Sequence, residues 1–280
     1  MNRINFHAGY HPATARPYTA DDSYVQVPAS PLLQPYIRCS WGSVHEFNPH
    51  ICGSYDGTLI VPDTCLDLIM IQNLENGHIR MLFVCLNDTY TINSWDKREK
   101  KISVFAVRFH CWTMNLISRV PMTATLNQVY PPDEFFPGVQ ELGKRIFDTD
   151  SFQKRIRIAE EYIKRLVNFG PASLPFFDGM DYILNHKGVS TLKELSEHLC
   201  YSKRQTQRIF TKALGITPGY FMDLVRYQSV WQEMLAIHTA GRKINYMDIV
   251  AKYGYSDQSH FITDFKKYHS MTPREALNNL

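Results

Sequence analysis

The chain has 280 residues, 44% of them hydrophobic and 20% charged, with a net charge of +3. That length allows two domains, each with its own core. No run approaches the ~18 apolar residues of a membrane span, and the first eighteen residues carry no apolar stretch of an export signal. The six cysteines (39, 52, 65, 85, 111 and 200) form neither a CxxC pair nor a regular framework, the pattern of reduced thiols in a cytosolic protein. The expectation is a soluble, cytoplasmic protein. Its charge is unevenly spread: residues 171–280 hold 13 Lys/Arg against 10 Asp/Glu, and the rest balances at 17 of each. The whole positive excess therefore sits in the last 110 residues.

The first 115 residues predict strands. TLIVPDTCLDLIMIQN, HIRMLFVCLN, TYTINSW and KISVFAVRF are short β-branched and aromatic runs separated by Asp, Asn, Gly and Pro, the signature of a sandwich or barrel. DKREKK at 96–101 reads as a solvated hairpin tip. After Pro121, ELGKRIFD and SFQKRIRIAEEYIKRLVNF space their apolar residues at three and four and predict helices. Asn168-Phe169-Gly170-Pro171 stops the second of these. The expected domains are 1–170, β-rich with a helical connector, and 171–280, all-α.

The second half repeats. Shifting 189–218 by 55 residues lays Leu192 on Met247, Leu195 on Val250, Phe210 on Phe265, Thr217 on Thr272 and Pro218 on Pro273. The expected N-caps match as well, Ser190 with Asn245 and Ser202 with Asp257. Each unit reads as a short helix, a tight turn and an outward second helix, which is a helix-turn-helix. GYFMDLVRYQSVWQEMLAI between them predicts a long helix holding the units at fixed separation.

The second helix of the first unit keeps Thr206, Ile209, Phe210 and Leu214 inward. Lys203, Arg204, Gln205, Gln207, Arg208, Thr211 and Lys212 take the other faces, with four positive charges and no acid. Arg forks onto guanine, Gln pairs with adenine and Lys neutralises phosphate. In the second unit Phe261 and Phe265 point inward, while Gln258, Ser259, Ile262, Thr263 and Lys266 face out. Its grip is weaker, because Asp257 and Asp264 offset Lys266 and Lys267.

The stretches LSEHLCYSKRQTQRIFTKALGITP and IVAKYGYSDQSHFITDFKKYHSMTP resemble the AraC/XylS family of bacterial transcription regulators. By that resemblance the base-reading positions are Lys203, Arg204, Gln207 and Arg208, then Gln258, Ser259, Ile262 and Thr263. Cys200 and Ser270 stand where relatives carry glycine, so both are expected to take positive φ. The pieces LLQPYIRCSW, VPDTCLDLIMI and FAVRFHCWTMNLI resemble a cupin-like effector or dimerisation domain. The implied fold class is α+β: a cupin-like β-sandwich or barrel with a helical connector, then two helix-turn-helix units joined by a long helix. The implied partners are double-stranded DNA, RNA polymerase, a small-molecule effector of unknown identity and a second copy of the chain, with no membrane. The implied role is a regulator, an activator rather than a repressor, without enzymatic activity or cofactor.

In the first half, Asp63, Asp67 and Arg108 are candidate effector contacts. Pro-Asp also makes turns, and Arg108 could equally pair with an aspartate in the interior, so both readings stay open. Trp41, Trp95 and Trp112 are expected in the core. His45, His50 and Cys52, or His110 with Cys111, lack the spacing of structural zinc sites, so no metal is expected. Two alternatives remain: a cupin-type metalloenzyme with a DNA-targeting helical tail, and a regulator whose first half only dimerises.

Overall fold

The computed structural model describes residues 5–13, 24–43, 58–93, 101–118, 120–167 and 174–279. The first half is built on strands β1 (Tyr24–Pro28), β2 (Ile37–Ser43), β3 (Thr58–Ile60), β4 (Cys65–Asn73), β5 (Ile79–Val84), β6 (Thr91–Asn93), β7 (Ile102–His110) and β8 (Val129–Tyr130). Six form an antiparallel sheet in the order β1-β2-β7-β4-β5-β8, and β3 pairs with β6. The run 58–73, expected as one strand, breaks into β3 and β4. Thr64 at its corner adopts φ +59, and Asp63 Oδ1 accepts the Cys65 N–H at 3.0 Å, a turn that Pro62-Asp63 starts. Trp95 and most of the 96–101 tip lie outside the described residues.

Side chains alternate across the sheet, and β7 is buried along its whole length because both faces are covered. Phe105, Val107 and Phe109 face a core shared with the connector helices α3 (Val139–Phe147) and α4 (Phe152–Leu166). The Phe109 ring lies 5.7 Å from Phe136, and that of Phe105 lies 5.4 Å from Phe152. Ile102, Val104 and Ala106 face the other way, onto Cys39, Trp41 and Ile71. Trp41 and Trp112 are both core residues, as expected.

The second half holds seven helices among its described residues: α5 (Leu174–Asn185), α6 (Leu192–His198), α7 (Lys203–Leu214), α8 (Pro218–Thr239), α9 (Tyr246–Lys252), α10 (Gln258–His269) and α11 (Pro273–Asn278). The expected boundary at 170/171 lies outside the described residues. Two separate cores were expected, yet one apolar cluster runs from Leu33 in the first half to Leu277 in the last helix. Short α1 (Phe6–Gly9) helps join the halves: the Phe6 ring sits 5.2 Å from Trp112 and 6.3 Å from Phe177 of α5.

Polar bonds complete the junction. Gln228 of α8 is fully buried. Its Oε1 accepts the Ala13 N–H at 2.7 Å, and its Nε2 donates to the carbonyls of Ala13 and Pro62. The last carbonyls of α7, which a helix leaves without internal partners, are capped by the first half. Met122 N–H donates to Lys212 O at 3.1 Å, and Asn115 Nδ2, on α2 (Met114–Ile117), donates to Ala213 O at 3.2 Å. Strand β7 runs into this capping segment through the turn Cys111–Thr113.

Two buried imidazoles predict the pH response. Burial lowers His110 to about 3, with Arg38 adding to the effect, and lowers His269 to about 4. Tyr227 OH lies 2.8 Å from His269 Nδ1, a bond that a neutral imidazole accepts. As pH falls below about 6.5, the unfolded chain binds protons that the folded chain excludes, so stability falls. Between pH 7.5 and 5.5 the expected loss is about 1.4 kcal/mol for each histidine. Urea denaturation at the two pH values measures it, and His269→Gln is expected to flatten part of the slope.

Candidate nucleic-acid interface

The two units differ by one residue in their turns, which corrects the uniform shift of 55. In the first, Tyr201 N–H returns to Ser196 O at 3.0 Å; in the second, Tyr255 N–H returns to Val250 O at 3.0 Å. That registers the first helices at 54, placing Leu195 on Ile249 and Leu192 on Tyr246, and leaves Met247 exposed. The helix α6 is capped accordingly by Thr191, not Ser190: its hydroxyl accepts the Glu194 N–H at 3.2 Å, and Glu194 returns a bond to the Thr191 N–H at 2.8 Å. Asn245 caps α9 as expected. Ser256 is the extra residue, and beyond it the shift of 55 holds.

Ser202 accepts the Gln205 N–H at 3.2 Å to start α7, and Asp257 accepts the His260 N–H at 2.8 Å to start α10. Both helices end on a left-handed residue, Gly215 at φ +80 and Ser270 at φ +61. Cys200 has φ +57 in the first turn and Gly254 φ +67 in the second. The positive φ expected at Cys200 and Ser270 is thus present.

On α7, Thr206, Phe210, Ala213 and Leu214 are buried. Lys203, Arg204, Gln207, Arg208 and Lys212 are exposed, with Gln205 and Thr211 half-buried at the margin. No carboxylate among the described residues pairs with these four cations. On α10, Gln258, Ser259, Thr263 and Lys266 are exposed and Ile262 is half-buried. Asp264, counted from sequence as an offsetting charge, turns inward instead. Its Oδ2 accepts Tyr255 OH at 3.0 Å and lies 3.5 Å from Arg226 Nη2 of α8. The guanidinium of Arg226 also covers the Tyr255 ring at 4.8 Å, tying α10 to the long helix. Exposed His260 was not singled out in the sequence; its Nδ1 lies 3.1 Å from Ser256 Oγ.

In the first half, register alone brings the candidate effector residues together, since Cys39, Arg108 and Asp67 are cross-strand neighbours. Arg108 donates Nε to Asp67 Oδ1 at 2.9 Å and Nη2 to Asp67 Oδ2 at 2.8 Å, the fork that guanidinium and carboxylate favour. Its Nη1 lies 3.3 Å from Asp63 Oδ2. Two residues missed from sequence complete the group: Arg38 Nη1 at 3.6 Å from Asp63 Oδ2, and Trp41 Nε1 donating to Asp67 Oδ1 at 2.9 Å. The carboxylates keep Arg108 charged in spite of burial. Two cations and two anions make the group internally neutral. Among the described residues no set of three His, Cys, Asp or Glu is placed to hold a metal; His45, His50 and Cys52 lie outside them. No described helix is long and apolar enough to cross a membrane.

The second half is therefore a tandem of two capped helix-turn-helix units on one long helix. Residues 195–279 match a family model described as a helix-turn-helix domain. The chain is 27% identical over 88 residues to the HTH-type transcriptional regulator ArgR of Pseudomonas aeruginosa, covering 31% of this chain and 25% of that protein. It is 29% identical over 84 residues to an uncharacterized HTH-type transcriptional regulator of Haemophilus influenzae, covering 30% of this chain and 26% of that protein. The matched stretch thus spans about a quarter of the length of these relatives. Among solved structures, ToxT from Vibrio cholerae aligns over 92% of this chain and 99% of its own, with a TM-score of 0.40 and 10% identity. The chain carries a helix-turn-helix domain of the AraC/XylS type.

Proposed function

We propose that the chain is a sequence-specific transcription regulator of double-stranded DNA, a cytoplasmic activator that assists RNA polymerase. One observation carries the reading: α7 presents Lys203, Arg204, Gln207 and Arg208 to solvent with no acidic residue on the helix. Arginine and glutamine at such positions suit guanine and adenine edges, and the lysines suit phosphate. Gln205, Thr211 and Lys212 flank that face, and Gln258, Ser259, Ile262, Thr263 and Lys266 form the second reading surface. The 22 residues of α8 span ~33 Å, close to the ~34 Å turn of B-DNA. Residues 1–170 act as the sensor and homodimerising half, and 171–280 as the reader. A small-molecule effector would act by preferring one arrangement of the two halves. The caps on α7 and the Gln228 junction are the contacts that differ between such arrangements.

Selection by the full-length protein from a random-duplex library, across a salt series, tests this. The expected result is an enriched site with a steep loss of affinity as salt rises. Arg208→Ala is expected to cost ~1–3 kcal/mol on that site and to relax one base position. Salt-sensitive binding without an enriched sequence reduces the helices to a DNA tether. The metalloenzyme alternative predicts stoichiometric metal in purified protein, which metal analysis reads directly.

A further inference from the structure

The turn of the first unit holds a feature that DNA reading does not use. Cys200 is exposed, whereas Cys39, Cys65, Cys85 and Cys111 are buried. Burial pushes the Cys39 thiol up to about 11 and the Cys85 thiol up to about 12, and raises Cys65 and Cys111 as well, which keeps those sulfurs protonated and unreactive. Cys200 lines an open groove of about 410 Å³ with Lys193, Ser196, Glu197, Tyr201 and Lys203. That volume lies within the roughly 300–1,000 Å³ of small-ligand sites.

Ser196 gives the groove an unmet demand. It lies one helical turn before Cys200 and is 5% exposed, and its buried hydroxyl has no hydrogen-bond partner. A buried polar group without a partner is costly, and a ligand group seated in the groove would supply one. Lys193 and Lys203 set the sign of that ligand. Glu197 stands 3.8 Å from Lys193 and offsets one ammonium, while Lys203 meets no carboxylate among the described residues. The surroundings of the sulfur are those that favour an anionic partner and the thiolate form.

We propose that Cys200 is a thiol-exchange site that takes a small anionic disulfide of the glutathione-disulfide class, and that the adduct blocks α7 from DNA. The sulfur sits three residues ahead of Lys203, the first residue of the reading helix, so an adduct in the groove occupies the surface the duplex must approach. In the exchange, Cys200 Sγ attacks one sulfur of the disulfide as a thiolate. A new Sγ–S bond forms and the original S–S bond breaks. The departing thiolate takes up the proton that Cys200 released. The disulfide is the oxidant, so nothing else is consumed, and excess thiol reverses the step.

The gating part rests on the DNA-binding reading, so the test separates the two. Reduced full-length protein is treated with glutathione disulfide, mapped by peptide mass spectrometry, and titrated against the duplex selected above. The expected result is an adduct on the Cys200 peptide and at least a tenfold weaker Kd, restored by dithiothreitol. Cys200→Gly, which the φ of +57 accommodates, is expected to take no adduct there and to keep the affinity of the reduced protein. Ser196→Ala is expected to load several-fold more slowly, and loading at the wild-type rate would remove the hydroxyl from the site. An adduct on another cysteine with Cys200 free overturns the site. A fully loaded Cys200 with unchanged Kd overturns the gating. Reduced protein that selects no duplex overturns the regulator reading, and the gating with it, while the mass map still decides the thiol.

Discussion

Replacing Arg108 by methionine is expected to destabilise the protein by about 3–5 kcal/mol, the range for removing one partner of a buried ion pair. Methionine keeps the apolar stem but removes the fork to Asp67 and the contact with Asp63. Those carboxylates, with side chains 13% and 12% exposed, would keep their charge with less to balance it. The Trp41 indole and Arg38 cannot replace a guanidinium that meets both aspartates. Neutralising the anions as well, in Arg108→Met/Asp63→Asn/Asp67→Asn, is expected to recover much of the loss, because the cost lies in unbalanced charge and not in lost volume. Thermal unfolding should show the single substitution lowering Tm on the order of 10 °C. A loss below about 1 kcal/mol would mark the group as solvated, and would favour the reading in which Arg108 and Asp67 hold an effector.

Gly215→Ala is expected to strike the junction between sensor and reader. At φ +80 an alanine carries a left-handed penalty of roughly 1–2 kcal/mol. Its Cβ would also stand 2.3 Å from Met122 O and 2.7 Å from Thr125 Oγ1. Neither atom yields easily. Thr125 Oγ1 donates to Met122 O at 2.6 Å, and the Met122 N–H caps Lys212. Separation of the segment 122–125 from α7 is therefore expected, with faster hydrogen exchange at Met122 and at the end of α7. Together with overpacking of about 1–3 kcal/mol, the whole loss should reach ~2–4 kcal/mol. Ser270→Gly is the reciprocal control. It is the repeat counterpart of Gly215, its φ is +61, and it is exposed, so glycine there should stabilise by up to ~1 kcal/mol. Equal exchange at Met122 in wild type and Gly215→Ala would show that the cap does not couple the halves.

The reader was legible because its determinants are local. Apolar spacing sets helix faces, Ser202 and Asp257 are N-caps visible as letters, and two Thr-Pro pairs mark the starts of α8 and α11. The register slip between the first helices was not legible. Ile249 and Val250 are adjacent and both buried, so shifts of 54 and 55 each lay an apolar residue on Leu195. Only the backbone bonds that close each turn separate them. Asp264 shows the same limit: its side chain faces inward because Arg226 lies 38 positions away on another helix.

The first half told less in advance for the same reason. Runs of β-branched residues announced strands, yet which strands neighbour each other is a matter of long-range pairing. That pairing alone sets Arg108 beside Asp67, 41 positions apart. Gln228 lies 215 positions from Ala13, and no local pattern ties a glutamine on an apolar helix to an N-terminal carbonyl. The sequence by itself determined the two reading helices, their caps and the residues they turn to solvent, because those follow from periodicity within a dozen residues. The tertiary structure alone decided that the Arg108 group is internally neutral, that one core joins the halves, and that the sensor caps the end of α7. Each of these depends on where backbone donors and acceptors from distant segments meet.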